Sequence, residues 1–272
     1  MTFIHDDDSF GDLLDIVAGQ RDLSAALVEK DYWVAHTLWS LQQQGYEIWF
    51  KGGTSLSKGF GLIERFSEDL DVRLDAGSIP LPQVSSWTSD GKQALASRTS
   101  FFRALTEALD IPGARVELAP FATEAARNAE IRVIYPGRRL ASLDPVMRTF
   151  VLLEVGNARV TPSIERDLSS FVHDFLAGQG RLTEFVDNRP HALRCVHPLV
   201  TLLEKLDALM KRATRDDRAP ATFVRHFEDA ARIANEAAAL PPLDGYPSVR
   251  ALSEEMLESK QITCLPDPAH PA

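Results

Sequence analysis

Two short stretches carry residue types that could handle a nucleotide: Lys51-Gly52-Gly53-Thr54-Ser55-Leu56-Ser57-Lys58, and Arg65-Phe66-Ser67-Glu68-Asp69-Leu70-Asp71-Val72. Ahead of the first, the apolar run Ile48-Trp49-Phe50 stops at a glycine pair, the pattern of a strand entering a tight turn with a helix behind it. Without Cβ atoms, Gly52 and Gly53 let backbone amides approach a ligand. Thr54 and Ser55 can cap the helix or hold a phosphate at its positive end. In the second stretch, strand alternation puts Asp69, Asp71 and Arg73 on one face and Leu70, Val72 and Leu74 on the core face. The two carboxylates would then stand about 6 to 7 Å apart at Cα. From that spacing they can share one or two magnesium ions, which bridge nucleotide phosphates and stabilise the attacking and leaving oxygens of an in-line displacement.

Each stretch alone has an ordinary reading. A glycine pair after an apolar run is by default a turn, and an Asp-x-Asp on a half-buried strand is by default a solvated face. Their separation of about 15 residues, one helix and a turn, is what links them. A third carboxylate, Glu154, sits inside the apolar run Phe150-Val151-Leu152-Leu153-Glu154-Val155-Gly156, where a charge must be paired, bind a metal or lie at the wet end of the strand.

The elements that must position these residues follow from periodicity. Leu27, Val34, Leu38 and Leu41 predict a helix from about Ser24 to Gln44, stopped at Gly45. Within it, Glu29-Lys30-Asp31 is expected as an exposed polar face, with Tyr32 and Trp33 partly buried. Residues 76–91 are rich in Pro, Ser and Gly and read as a loop, a mobile one near the site. A helix is expected from about Lys92 to Leu109, then strands over Arg115 to Ala119, Ala129 to Tyr135 and Thr149 to Val155. Beyond Pro162 strand signals fade, and helices are expected over 163–177, 199–213, 223–239 and 248–259. Lys205 flanks an apolar stripe, where a lysine by default snorkels. Arg225 and Asp229 stand at i and i+4, by default an exposed ion pair.

Composition bounds the class. The chain has 272 residues, 44% hydrophobic and 25% charged, ample for a proper core. No apolar run approaches the length of a membrane span, and the acidic start Met1-Thr2-Phe3-Ile4-His5-Asp6-Asp7-Asp8 is unlike a signal peptide, so a cytoplasmic protein is expected. Cys195 and Cys264 have no metal-ligand spacing and suggest neither a zinc site nor a disulfide framework. The net charge of −10 argues against unselective nucleic-acid binding. A mixed-charge segment with Lys205, Lys211, Arg212, Arg215, Arg218, Arg225 and Arg232 reads first as a solvated helical face.

Taken in order, these motifs resemble the AbiEii/AbiGii family of nucleotidyltransferase toxins, of the DNA polymerase β-like superfamily, which includes the MenT-type tRNA-modifying toxins. The Gly-Gly-Thr-x-Leu pattern falls on Gly52 to Leu56, and Arg-x-Ser-x-Asp-Leu-Asp on Arg65 to Asp71. The family's helical lysine matches Lys205 and its later Arg-x-x-x-Asp matches Arg225 to Asp229. Glu29-Lys30-Asp31-Tyr32 resembles the helix before the first motif, and Leu153 to Gly156 the third acidic strand. Many relatives have Arg-Asp where this chain has Arg225-His226.

The resemblance implies an α+β (α/β) nucleotidyltransferase core, a mixed sheet flanked by helices over 1–162, then a helical C-terminal lobe over 163–265 and a disordered tail at 266–272. It implies a toxin with a cognate antitoxin and a magnesium-dependent transfer of a nucleotide from an NTP, with the 3′ end of tRNA as the expected acceptor. Asp69 and Asp71 would hold the metal, with Glu154 as third ligand or base. Gly52, Gly53, Thr54 and Ser55 would cradle phosphates, and Lys58, Arg65 and Lys205 would offset their charge. Asp229 would position Lys205 or the acceptor. Ser67 is a candidate for regulatory modification. The alternatives are a transferase acting on a small molecule or a protein, and a nucleotide-binding module without catalysis.

Overall fold

The structure is a computed structural model and describes the chain except residues 65–68, 78, 146, 214–219 and 267–272. It divides into two compact units. The first comprises Met1–Phe50, Glu68–Ala158 and Arg166–Leu193; the second comprises Lys51–Ser67, Arg159–Glu165 and Arg194–Ala272. Residue 162, the expected lobe boundary, falls within the 159–165 segment of the second unit. The tail expected at 266–272 lies, apart from Pro266, outside the described residues.

The first unit begins with helix α1 (Phe10–Arg21), which the periodicity reading left unassigned. Phe10, Leu14, Val17 and Ala18 recur at helical spacing on its buried side. Helix α2 (Ala25–Gln43) starts where expected, with the Ser24 hydroxyl accepting from the Leu27 amide at 3.2 Å. It stops at Gly45, whose φ of 89° suits a residue without a Cβ. Strand β1 (Glu47–Lys51) follows, and in the second unit it continues into the seven-residue helix α3 (Gly52–Lys58).

Back in the first unit, β2 (Asp69–Asp75), helix α4 (Lys92–Ala108), β3 (Arg115–Leu118), β4 (Asn128–Ile134) and β5 (Val151–Gly156) complete a mixed sheet in the order β3-β4-β5-β2-β1. β5 runs parallel to β2 and antiparallel to β4, and β3 runs antiparallel to β4. Alternation holds along β2 and β4: Leu70, Val72, Leu74, Ala129, Ile131 and Val133 are buried, and the residues between them are half-buried or exposed.

Two expectations are corrected here. Glu29, Lys30 and Asp31 are 0%, 0% and 1% exposed, not a solvated face, because α2 is enclosed and each charge finds a partner within the first unit. Residues 163–177 do not form one helix: β6 (Ser163–Arg166), which pairs with β7 (Leu193–Val196), precedes helix α5 (Phe171–Gly178). Four-residue strands leave too few alternations to register against helical spacing.

The loop over 76–91 is anchored by α4. Arg98, fully buried, donates to the carbonyl oxygens of Ser86 (2.6 Å), Ser89 (2.9 Å) and Ala125 (3.0 Å). A cation replaces the sheet or helix bonds that this segment lacks. Besides α3, the second unit holds α6 (Pro198–Ala213), α7 (Pro220–Asn235) and α8 (Val249–Glu258), with α7 and α8 each packed on α6. Asp207 of α6 accepts from the Thr263 and Cys264 amides at 2.8 and 3.1 Å, fastening the chain beyond α8. No helix among the described residues is long and apolar enough to cross a membrane.

Candidate active site

The sheet of the first unit gathers acidic groups on one face. Parallel pairing of β2 and β5 sets Asp71 directly opposite Glu154, and antiparallel pairing of β5 and β4 sets Glu130 opposite Glu154 on its other side. Three carboxyls therefore form one row across three neighbouring strands. Burial first, then Asp71, Asp69 and Glu130, push the Glu154 carboxyl up to about 8.

Asp69 lies two residues earlier on the same face, opposite Leu152. Its Oδ1 accepts a 2.6 Å hydrogen bond from Arg148 Nη1. Among the described residues no group of three or more His, Cys, Asp or Glu is arranged to hold a metal ion as it stands. Of the expected trio, the structure brings Asp71 and Glu154 together and turns Asp69 toward Arg148. The donor set nonetheless fits a hard divalent cation: it is all carboxylate oxygen, and its mutual repulsion is what a cation would relieve.

The buried charges of α2 brace this face. The Glu29 carboxylate accepts from the amides of Arg138 and Arg139 at 2.7 and 2.9 Å, and Lys30 Nζ donates to the Arg148 carbonyl oxygen at 2.6 Å. Both ends of the segment between β4 and β5 are thus fixed to one helix. Asp31 accepts from the Phe171 amide at 2.8 Å, tying α5 to the same turn. Sequence reasoning passed over Arg148 and Glu130. Glu130 alternates with Arg132 on a strand and was detectable as a residue of the polar face, whereas Arg148, in an irregular segment, carries no such signal.

In the second unit, Gly52 takes φ of 75°, the left-handed turn the glycine pair was expected to supply. The cap position of α3 is Lys51, so Thr54 and Ser55 lie within the helix rather than capping it. Ser55 is buried and its hydroxyl has no hydrogen-bond partner among the described residues. Lys58 stands at the opposite end of α3 from the glycine turn. Arg65 and Ser67 lie outside the described residues, as do Arg215 and Arg218 of the mixed-charge segment.

Lys205 of α6 places Nζ 2.9 Å from Asp229 Oδ2 of α7, and Asp229 is 1% exposed. This corrects the exposed Arg225–Asp229 pair expected from spacing. Asp229 turns inward to the lysine of the neighbouring helix, while Arg225 remains exposed. One residue before Lys205, Glu204 receives Lys51 Nζ at 3.2 Å on each oxygen.

A family model described as the nucleotidyl transferase AbiEii toxin of type IV toxin-antitoxin systems matches residues 36–267. The chain belongs to this family. That membership makes it a nucleotidyltransferase of the AbiEii toxin type. The AbiEii chain is similar in fold to MenT4, a nucleotidyltransferase toxin of Mycobacterium tuberculosis H37Rv, with a TM-score of 0.53 at 18% identity over 93% of this chain and 74% of that one. A second similar structure is JHP933 from Helicobacter pylori, with a TM-score of 0.35 at 13% identity over 86% and 95% of the two chains. Comparison with curated proteins gives no match.

Proposed function

We propose that this AbiEii-family toxin transfers a nucleoside monophosphate from an NTP to the 3′ end of tRNA in a magnesium-dependent reaction, blocking translation and growth in the cytoplasm until a cognate antitoxin neutralises it. The observation that carries the reading is the opposition of Asp71 and Glu154 on neighbouring parallel strands, with Asp69 on the same face. In the transfer, the acceptor oxygen bonds to the α-phosphorus, the bond to pyrophosphate breaks and the hydroxyl proton is released. Such chemistry asks a protein mainly for positioning and charge compensation.

Asp69 and Asp71, with Glu154, would hold magnesium, which when bound supplies charge neutralisation at the phosphates. Gly52, Gly53, Thr54 and Ser55 would receive phosphate oxygens, the Ser55 hydroxyl gaining the partner it lacks. Lys58, Arg65 and Lys205 would offset phosphate charge, and Asp229 would fix the Lys205 ammonium in place. Ser67 stands two residues before Asp69 in sequence. A phosphate on it would add negative charge beside the metal carboxylates and silence the enzyme.

The test is incubation of purified protein with magnesium, total tRNA and each labelled NTP in turn, beside Asp69→Ala. Label is expected in tRNA with one or more NTPs and to fall by about a thousandfold in the variant, the several kcal/mol a metal ion contributes. The net charge of −10 favours a second reading, a small cationic acceptor. Label in a small molecule or a protein instead of tRNA would keep the chemistry and remove the tRNA assignment. NTP binding that survives Asp69→Ala, with no transfer by the wild type, would identify a noncatalytic nucleotide-binding module.

A further inference from the structure

The pair formed by Arg148 and Asp69 has no place in the reaction as proposed. Arg148 Nη1 donates to Asp69 Oδ1 at 2.6 Å, and both side chains are part-exposed, at 42% and 34%. Its backbone is not equally free to move, because the Arg148 carbonyl oxygen is held at 2.6 Å by Lys30 Nζ, and Lys30 is fully buried. A guanidinium on a fixed main chain can swing at its tip while the segment that carries it stays in register with β5. On the same face, Asp71 stands directly opposite Glu154 in the parallel register of β2 and β5. The arginine thus sits on the one carboxylate of the three that stands apart from the row.

We propose that Arg148 is a positioning residue that serves as the counter-ion of Asp69 in the metal-free protein and competes with the divalent cation for it. The proposal rests on the reading that Asp69 is a metal ligand. The short charge-assisted hydrogen bond occupies one lone pair of Asp69 Oδ1 and offsets the carboxylate charge, which weakens Asp69 as a ligand for a cation. A divalent cation at Asp69 would compete with the guanidinium for this charge, and Arg148 would remain within side-chain reach of the ligand carboxylates. A part-exposed pair of this kind is weak, so the competition tunes metal affinity rather than forbidding binding.

The experiment measures Mn²⁺ binding to the full chain by electron paramagnetic resonance and by calorimetry, without nucleotide. The variants are Arg148→Gln, Arg148→Lys, Asp69→Asn and Arg148→Gln/Asp69→Asn. Arg148→Gln is expected to tighten Mn²⁺ binding about threefold to fivefold, Arg148→Lys by less, and Asp69→Asn to weaken it. In the Asp69→Asn background the gain from Arg148→Gln is expected to shrink below about twofold, because the competed oxygen is then gone. Unchanged or weaker binding in Arg148→Gln, with Asp69→Asn still weakening it, overturns the competition and leaves the metal reading standing. Mn²⁺ binding indifferent to Asp69→Asn overturns the metal reading, and the proposal with it.

Discussion

Lys205 and Asp229 join α6 to α7 through a 2.9 Å contact in which the carboxylate is almost wholly buried and the lysine nearly so. Removing Asp229 leaves the Lys205 ammonium without this carboxylate in a low-dielectric place. Asp229→Ala is expected to lower the stability of the second unit by about 3 kcal/mol, and Lys205→Met/Asp229→Leu to cost less than the sum of its single changes. Urea unfolding of the four proteins measures the coupling. Strict additivity would mean that the pair is not a unit.

Glu154 carries opposite demands. Burial and the neighbouring Asp71 and Glu130 make the folded chain hold a proton on Glu154 at neutral pH that the unfolded chain releases, and Glu154→Gln removes that cost in metal-free buffer. The expected rise in Tm is about 2 to 4 °C, equivalent to roughly 1 kcal/mol. Divalent-metal affinity is expected to fall roughly tenfold in the same variant, since one oxygen ligand charge is lost. A Tm that drops while metal affinity is unchanged would place Glu154 among the structural carboxylates instead.

Arg98 predicts where the loop over 76–91 gets its order. Arg98→Met removes donors to three carbonyl oxygens and leaves a neutral chain in their midst. The expected cost is about 3 kcal/mol, one net hydrogen bond each. Hydrogen exchange should accelerate at amides of the 85–91 stretch, among them Ser85, Ser89 and Gly91, more than in β4 or β5. Uniform acceleration across the first unit would assign Arg98 a global role in folding rather than the local one.

A buried polar network sets the acid response of the first unit. Asn188 donates to the Tyr32 hydroxyl at 3.0 Å and bonds His36 Nδ1 at 2.8 Å, while His36 Nε2 meets the Pro112 carbonyl oxygen at 2.9 Å. Burial, with His5 and His173 nearby, lowers the His36 pKa from 6.5 to about 3. The unfolded chain therefore takes up a proton that the folded chain refuses, so the His36 contribution to stability is complete above pH 6.5 and is lost progressively as pH falls toward 3. His36→Gln is expected to be less stable at pH 7 and to show a shallower decline on acidification, measured by urea midpoints across that range. An unchanged slope would exclude His36 as the sensor.

The sequence by itself determined the local elements and the chemistry of the site face. Ser24 and Gly45 bound α2 because capping and left-handed turn geometry are local properties. Asp69 and Asp71 share a face because strand alternation is a property of any extended chain. Tertiary structure alone decided which partners these residues have. That Asp71 meets Glu154 depends on the register of strands separated by the whole α4–β3–β4 stretch. That Asp229 pairs with Lys205 instead of Arg225 depends on which side of α7 faces α6. The Glu29-Lys30-Asp31 cluster is the clearest case: by composition it is a solvated face, yet it is enclosed. Its charges bind backbone groups of the chain around residues 138–148 and at 171, and a charge is tolerated inside a protein only when such partners converge on it. That convergence is a property of the assembled fold, and no periodicity in α2 encodes it.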